Sequence, residues 1–104
     1  KAKADEKLTI VFKNPDVVPH NWMLAKPGTL QKIGNLANLM ITDPQGMQKH
    51  YVPDSDDVIA YTDMTNPKAE FVIHLTAPKE KGDYPYLCTF PGHWMVMNGM
   101  MKVE

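Results

Sequence analysis

Lys7 to Asn14 reads KLTIVFKN, in which Leu8, Ile10 and Phe12 alternate with Thr9, Val11 and Lys13. Alternation at period two predicts a strand with one face toward a core. Glu70 to Thr76 repeats the pattern, with Phe71, Ile73 and Leu75 on one face and Val72, His74 and Thr76 on the other. Shorter strands are predicted at His20–Ala25, which stops at Lys26-Pro27-Gly28, at Val58–Thr62, at Tyr84–Cys88 and at Met97–Val103. Between Thr29 and Ile41 the period changes: Leu30, Ile33, Leu36, Ala37, Met40 and Ile41 recur at helical spacing. This predicts a helix with Thr29 as its N-cap and Asp43-Pro44 as its stop, packed against the strands through that stripe. Asn14-Pro15-Asp16 and Pro78–Asp83 read as turns, Gln45–Asp57 as a loop with at most a short extended piece at Tyr51-Val52, and Lys1–Glu6 as frayed or loop-like. Short strands separated by turn signals, with one helix, make an all-β sandwich carrying a helical insertion at 29–41.

Composition narrows the function more than the fold. At 104 residues the chain is one domain, 1–104, and its 43% hydrophobic content and net charge of -1 are those of an ordinary soluble globular protein. It has no arginine and no cluster of basic and aromatic residues, which argues against a nucleic-acid surface. The apolar runs are too short for a transmembrane segment, and with no secretory signal to read, localisation has to come from the site.

The single cysteine, Cys88, excludes an intramolecular disulfide, a four-cysteine zinc or iron–sulfur centre and a two-cysteine dinuclear copper bridge. A lone cysteine is most often a buried structural thiol. Here, however, it lies in YLCTFPGHWMVMNGMM, with His93 five positions on and Met97 four further. A thiolate and an imidazole on one short loop suit a borderline-soft metal, with a thioether nearby as a weaker donor. A further imidazole stands upstream at His20, in Val18-Pro19-His20-Asn21-Trp22. His50, in a loop, and His74, on a strand face, read as structural histidines.

Cys88-Thr89-Phe90-Pro91-Gly92-His93, ending in Met97, resembles the ligand loop of the azurins, blue-copper electron carriers of the cupredoxin family. His20-Asn21-Trp22 is similar to the first-histidine segment of that family, and Ile33–Met40 sits where its flap helix lies. Tyr51-Val52-Pro53-Asp54, Val58–Thr62 and Met97-Asn98-Gly99 also resemble segments there, so the likeness covers nearly all of residues 7–104.

The resemblance implies a cupredoxin-like Greek-key sandwich and a mononuclear type 1 copper site cycling Cu(I)/Cu(II). His20, Cys88 and His93 would be the equatorial ligands and Met97 a long axial one. Around them, the N–H groups of Asn21 and Phe90 would point at the cysteine sulfur, while the Asn21 side chain and Thr89 would join the two ligand segments. Pro91, Trp94 and Met95 would form an apolar docking patch at the exposed edge of His93.

There are departures. The familiar fold has a strand before Lys7, which implies either an excised domain or a strand replaced or absent. The azurin disulfide has no counterpart, and the loop before His20 is shorter. Pro19 replaces the glycine whose carbonyl lies near copper in azurins, and in this the chain is more similar to the auracyanins. The expected function is electron transfer between redox proteins, such as c-type cytochromes or a dehydrogenase or reductase, in the periplasm or another extracytoplasmic space, and not enzymatic catalysis. The alternatives are copper storage or delivery, suggested by Met95, Met97, Met100 and Met101, and a detached electron-transfer domain of a larger redox enzyme. A multicopper or nitrite-reductase domain would need further copper-binding histidines, which His50 and His74 do not supply.

Overall fold

A computed structural model describes residues 1–104. Its elements are β1 (Lys7–Lys13), β2 (Met23–Ala25), α1 (Leu30–Met40), β3 (Val58–Tyr61), β4 (Glu70–Thr76), β5 (Gly82–Leu87) and β6 (Asn98–Val103). β1 and β4 form an antiparallel ribbon, and the other four strands form an antiparallel sheet in the order β3-β2-β5-β6.

The alternating patterns behave as their period dictates. β1 and β4 each alternate exposed and half-buried residues along their whole length, and Ile10 pairs with Ile73, Val11 with Val72 and Phe12 with Phe71. No residue of this ribbon is fully buried. The dense packing lies in the larger sheet. Met23, Ala25, Ile33 and Leu87 form one buried cluster, through which α1 packs on one face. Leu24, Tyr84 and Val103 form a second, covered by Leu75 of the ribbon. Successive residues of β2 thus serve opposite faces, as a pleated strand between two layers must.

Three expectations are revised. The strand expected from His20 begins only at Met23, and His20 makes instead an isolated bridge to Thr65. Thr29 occupies the N-cap position of α1 but does not cap it, because at ψ 5° its hydroxyl is turned back and donates to the Lys26 carbonyl at 2.6 Å. Lys1–Glu6, expected to fray, is anchored. Ala2 is buried and bridges Val103 in parallel, donating to Lys102 O and accepting from Glu104 N, both at 2.8 Å.

The helix is held to the rest of the fold at Gly34, which faces the indole of Trp94. A Cβ added there would lie 2.2–2.4 Å from the ring carbons, and Trp94 Nε1 donates to Asn38 Oδ1 one turn on. Alanine is intrinsically better than glycine in a helix by up to about 1 kcal/mol. Overpacking, which typically costs about 1–3 kcal/mol, outweighs that gain here. Gly34→Ala is therefore expected to lower the urea midpoint, and Gly34→Ala combined with Trp94→Ala to recover the helix-propensity gain relative to Trp94→Ala alone.

Candidate metal centre

β2 and β5 are neighbours, with Met23 opposite Leu87. That pairing brings the chain just before β2 beside the chain just after β5, so His20 meets Cys88. The hairpin from β5 to β6 carries Cys88, His93 and Met97 in its connecting loop, which Cys88 N–H closes onto Met97 O at 3.0 Å. Within it, His93 N–H donates to Phe90 O at 2.9 Å and Met97 N–H to His93 O at 2.8 Å. Gly92 supplies the left-handed turn (φ 85°), where nothing lies within 4 Å of an added Cβ, so the requirement there is backbone conformation rather than space. Asn98, the first residue of β6, turns its amide back to Trp94 O at 2.9 Å and Met95 O at 3.3 Å.

The result is a convergent donor set. Cys88 Sγ stands 3.6 Å from His20 Nδ1 and 3.7 Å from His93 Nδ1, and one donor atom of each residue lies within 4.8 Å of the others. Both His20 and Cys88 are 4% exposed, whereas His93 is half-exposed with its ring against those of His20 and Phe90, each at 4.9 Å. One thiol and two imidazole nitrogens gathered this closely, two of the three shut away from water, fit a copper ion by donor chemistry. Met97 is joined to this loop through its backbone N–H and C=O, and its side chain is 36% exposed.

Burial, the largest influence, raises the Cys88 thiol above its ordinary value, while the backbone N–H groups of Asn21 and Phe90 favour the thiolate and pull it back. Burial also lowers His93, with the neighbouring His20 adding to the effect and Asp16 opposing it. Asn21 and Thr89 grip each other reciprocally: Asn21 Nδ2 donates to Thr89 Oγ1 at 2.8 Å, and Thr89 N–H donates to Asn21 Oδ1 at 2.7 Å. The same pair draws in a third segment, because Asn21 Nδ2 also donates to His50 O at 2.8 Å and Thr89 Oγ1 to Tyr51 O. His50 and Tyr51 both adopt left-handed backbone (φ 53° and 54°), a conformation that costs such residues about 1–2 kcal/mol each. In exchange their carbonyls face the two side chains that join the site.

The remaining residues fall out as follows. Pro19 is half-buried directly ahead of His20, and Phe90 stacks on Tyr51 with the rings 8° from parallel. His50 ties its loop down by accepting Met64 N–H at its Nδ1, and His74 bonds Thr9 across the ribbon. Of the expected docking residues, Met95 is 72% exposed, Pro91 is half-buried, and Trp94 departs from an outward-facing role because Gly34 leaves a slot on α1 that takes its indole. Sequence reading missed Asp16, whose Oδ2 lies 3.0 Å from His20 Nε2. A carboxylate four positions before a histidine in a proline-flanked loop was its only trace.

Both the sequence and the fold have known relatives. The sequence profile of copper binding proteins of the plastocyanin/azurin family matches residues 1–104. Auracyanin-A of Chloroflexus aurantiacus is 36% identical over 103 residues, 97% of this chain and 61% of that protein, so the chain spans less than two thirds of it. Azurin of Pseudomonas aeruginosa is 29% identical over 98% of the chain and 71% of its own length. Outer membrane protein H.8 of Neisseria gonorrhoeae is 32% identical over 98% of the chain and 56% of its own length. Among solved structures, the blue copper protein auracyanin A superposes with a TM-score of 0.86 at 34% identity, covering 99% of this chain and 82% of that one. The fold, the convergent thiol and imidazoles and the full-length profile match together place this chain in the plastocyanin/azurin family of copper-binding proteins.

Proposed function

We propose that the chain transfers single electrons between redox proteins, with one copper ion held by His20, Cys88 and His93 and by Met97 as a fourth, weaker donor. The observation that carries this is the convergence of His20, Cys88 and His93 donors within 4.8 Å. Copper bound there supplies a one-electron Cu(I)/Cu(II) couple, and sulfur with imidazole is a donor set that serves both oxidation states.

The protein's part is to hold those donors still. The Asn21–Thr89 pair fixes the two ligand segments to each other and to the His50–Tyr51 turn, so the donors keep their places whichever charge they face. The Asn21 and Phe90 N–H groups favour negative charge on the sulfur, which tunes the site in the manner of outer-sphere hydrogen bonds. His93 is the donor that reaches the surface beside exposed Met95 and Val96 (82%), and this edge is the route for electrons. Its small apolar rim, Pro91 and Met95 without Trp94, suits brief docking of a c-type cytochrome or of a dehydrogenase or reductase. We read it as a carrier and not an enzyme: His20 and Cys88 are shut away from water, and the site meets the surface through His93. An extracytoplasmic location, periplasmic in a bacterium with two membranes, agrees with the name of the related outer membrane protein H.8. No helix here is long and apolar enough to cross a membrane.

Adding Cu(II) is expected to give an intense blue absorption band that disappears in Cys88→Ser. A colourless protein that retains Cu(I) would point to copper storage or delivery instead. Copper uptake is also expected to depend on pH in a definite direction. Because burial raises the thiol, Cys88 is protonated at neutral pH and must lose its proton to bind. Apparent Cu(II) affinity should therefore rise roughly tenfold per pH unit from pH 6.5 toward 8.5, one proton being released per ion. Titrations in buffers of different ionisation enthalpy measure that proton directly.

A further inference from the structure

We propose that Asp16 is a positioning residue of the copper site: its carboxylate holds His20 through Nε2, leaves Nδ1 as the donor facing Cys88, and biases the site toward Cu(II). This rests on the copper reading above.

His20 is buried, and its two ring nitrogens face different neighbours. Nδ1 stands 3.6 Å from Cys88 Sγ, and Nε2 stands 3.0 Å from Asp16 Oδ2. A neutral imidazole carries one N–H and one lone pair, so an acceptor fixed at Nε2 selects the tautomer whose lone pair is on Nδ1. That is the tautomer a metal ion between His20 and Cys88 requires.

Asp16 is 54% exposed on its side chain, and an exposed carboxylate near a histidine would by itself be a weak argument. Its surroundings remove that weakness. Asp16 N–H donates to Asn14 Oδ1 at 3.0 Å, and Asp16 Oδ1 accepts Val17 N–H at 2.8 Å, which leaves Oδ2 directed at His20. Asn14 is itself buried, and its Nδ2 donates to Val18 O at 2.9 Å and to Thr65 O at 3.0 Å. Thr65 in turn exchanges both backbone hydrogen bonds with His20, at 2.7 and 3.1 Å. The ring of contacts closes from Asn14 through Asp16 to His20 and back through Thr65. The carboxylate is thus held by Val17 N–H and its backbone by Asn14, independently of any metal.

A fixed negative charge one imidazole away from the ion favours the dication over the monocation. Removing such a partner typically changes metal affinity by about 10–100-fold, and the exposure of Asp16 argues for the lower end of that range. Asp16→Asn keeps an acceptor oxygen and removes the charge, while Asp16→Ala removes both. Asp54→Asn removes a surface charge elsewhere and serves as the control.

Three readouts test the proposal: the reduction potential of the copper-loaded protein, its Cu(II) affinity, and 15N shifts of His20 in the metal-free protein above the ordinary imidazole titration range. Expected results are a blue Asp16→Asn protein whose Cu(II)-over-Cu(I) preference falls about tenfold, which raises a one-electron potential by about 59 mV. In Asp16→Ala, Cu(II) affinity should also fall and the His20 ring should shift from one tautomer to a mixture. A potential and tautomer unchanged in both variants, or a potential moved equally by Asp54→Asn, would overturn the proposal. Because the tautomer is read without copper, failure of the copper reading leaves the Asp16–His20 assignment separately testable.

Discussion

The reciprocal hydrogen bonds between Asn21 and Thr89 are the interaction on which the arrangement depends. They join residues 68 positions apart in sequence, at the points where the chain enters β2 and leaves β5. Both side chains are buried, and every polar atom on them has a partner. Without this pair, Thr89 N–H and the His50 carbonyl would lose their partners, at about 1–3 kcal/mol for each group left buried and unpaired. The sheet brings His20 and Cys88 into the same neighbourhood, and the side-chain pair sets how they face each other.

Three layers of constraint therefore converge on one point. Strand pairing sets position to within a residue, because β2 and β5 have a defined register. The loop between β5 and β6 sets the spacing of Cys88, His93 and Met97, through backbone hydrogen bonds and one left-handed glycine. Buried side-chain contacts then set orientation. Only the last layer carries strain, in the paired left-handed residues His50 and Tyr51, whose carbonyls are the ones Asn21 and Thr89 need. Local strain held by tertiary contacts is a familiar accompaniment of functional sites.

Much of this was legible beforehand, and the reasons are physical. β4 was read to the residue because alternation over seven positions admits one strand and one facing. The helix was read because its period differs from that of its neighbours. The Cys88–His93 loop was legible because its donors lie close together in sequence. What escaped were contacts whose two halves lie far apart or in irregular backbone. Ala2 is buried only because Val103, at the other end of the chain, accepts it as a neighbour. Trp94 looked like part of a surface patch because nothing local reveals that Gly34 opens a slot for it. Asp16 read as a turn residue, which it is, and its second role follows only from the Asn14–Thr65 frame around it. Thr29 stands at the right position, but its backbone angles point its hydroxyl elsewhere.

The unequal burial of the two sheets also has a bearing on how the molecule opens. The β1–β4 ribbon has no fully buried residue, whereas the fully buried side chains of Met23, Leu24, Ile33, Leu87 and Val103 all belong to the larger sheet and its helix. Sub-global unfolding begins where apolar burial is least. Amides of the ribbon should therefore exchange with solvent through partial openings, while those of β2 and β5 wait for the whole domain to come apart. His93 and Cys88 hang from the slow side and Asp16 from the fast side, which gives His20, held between them, two partners of unequal lifetime.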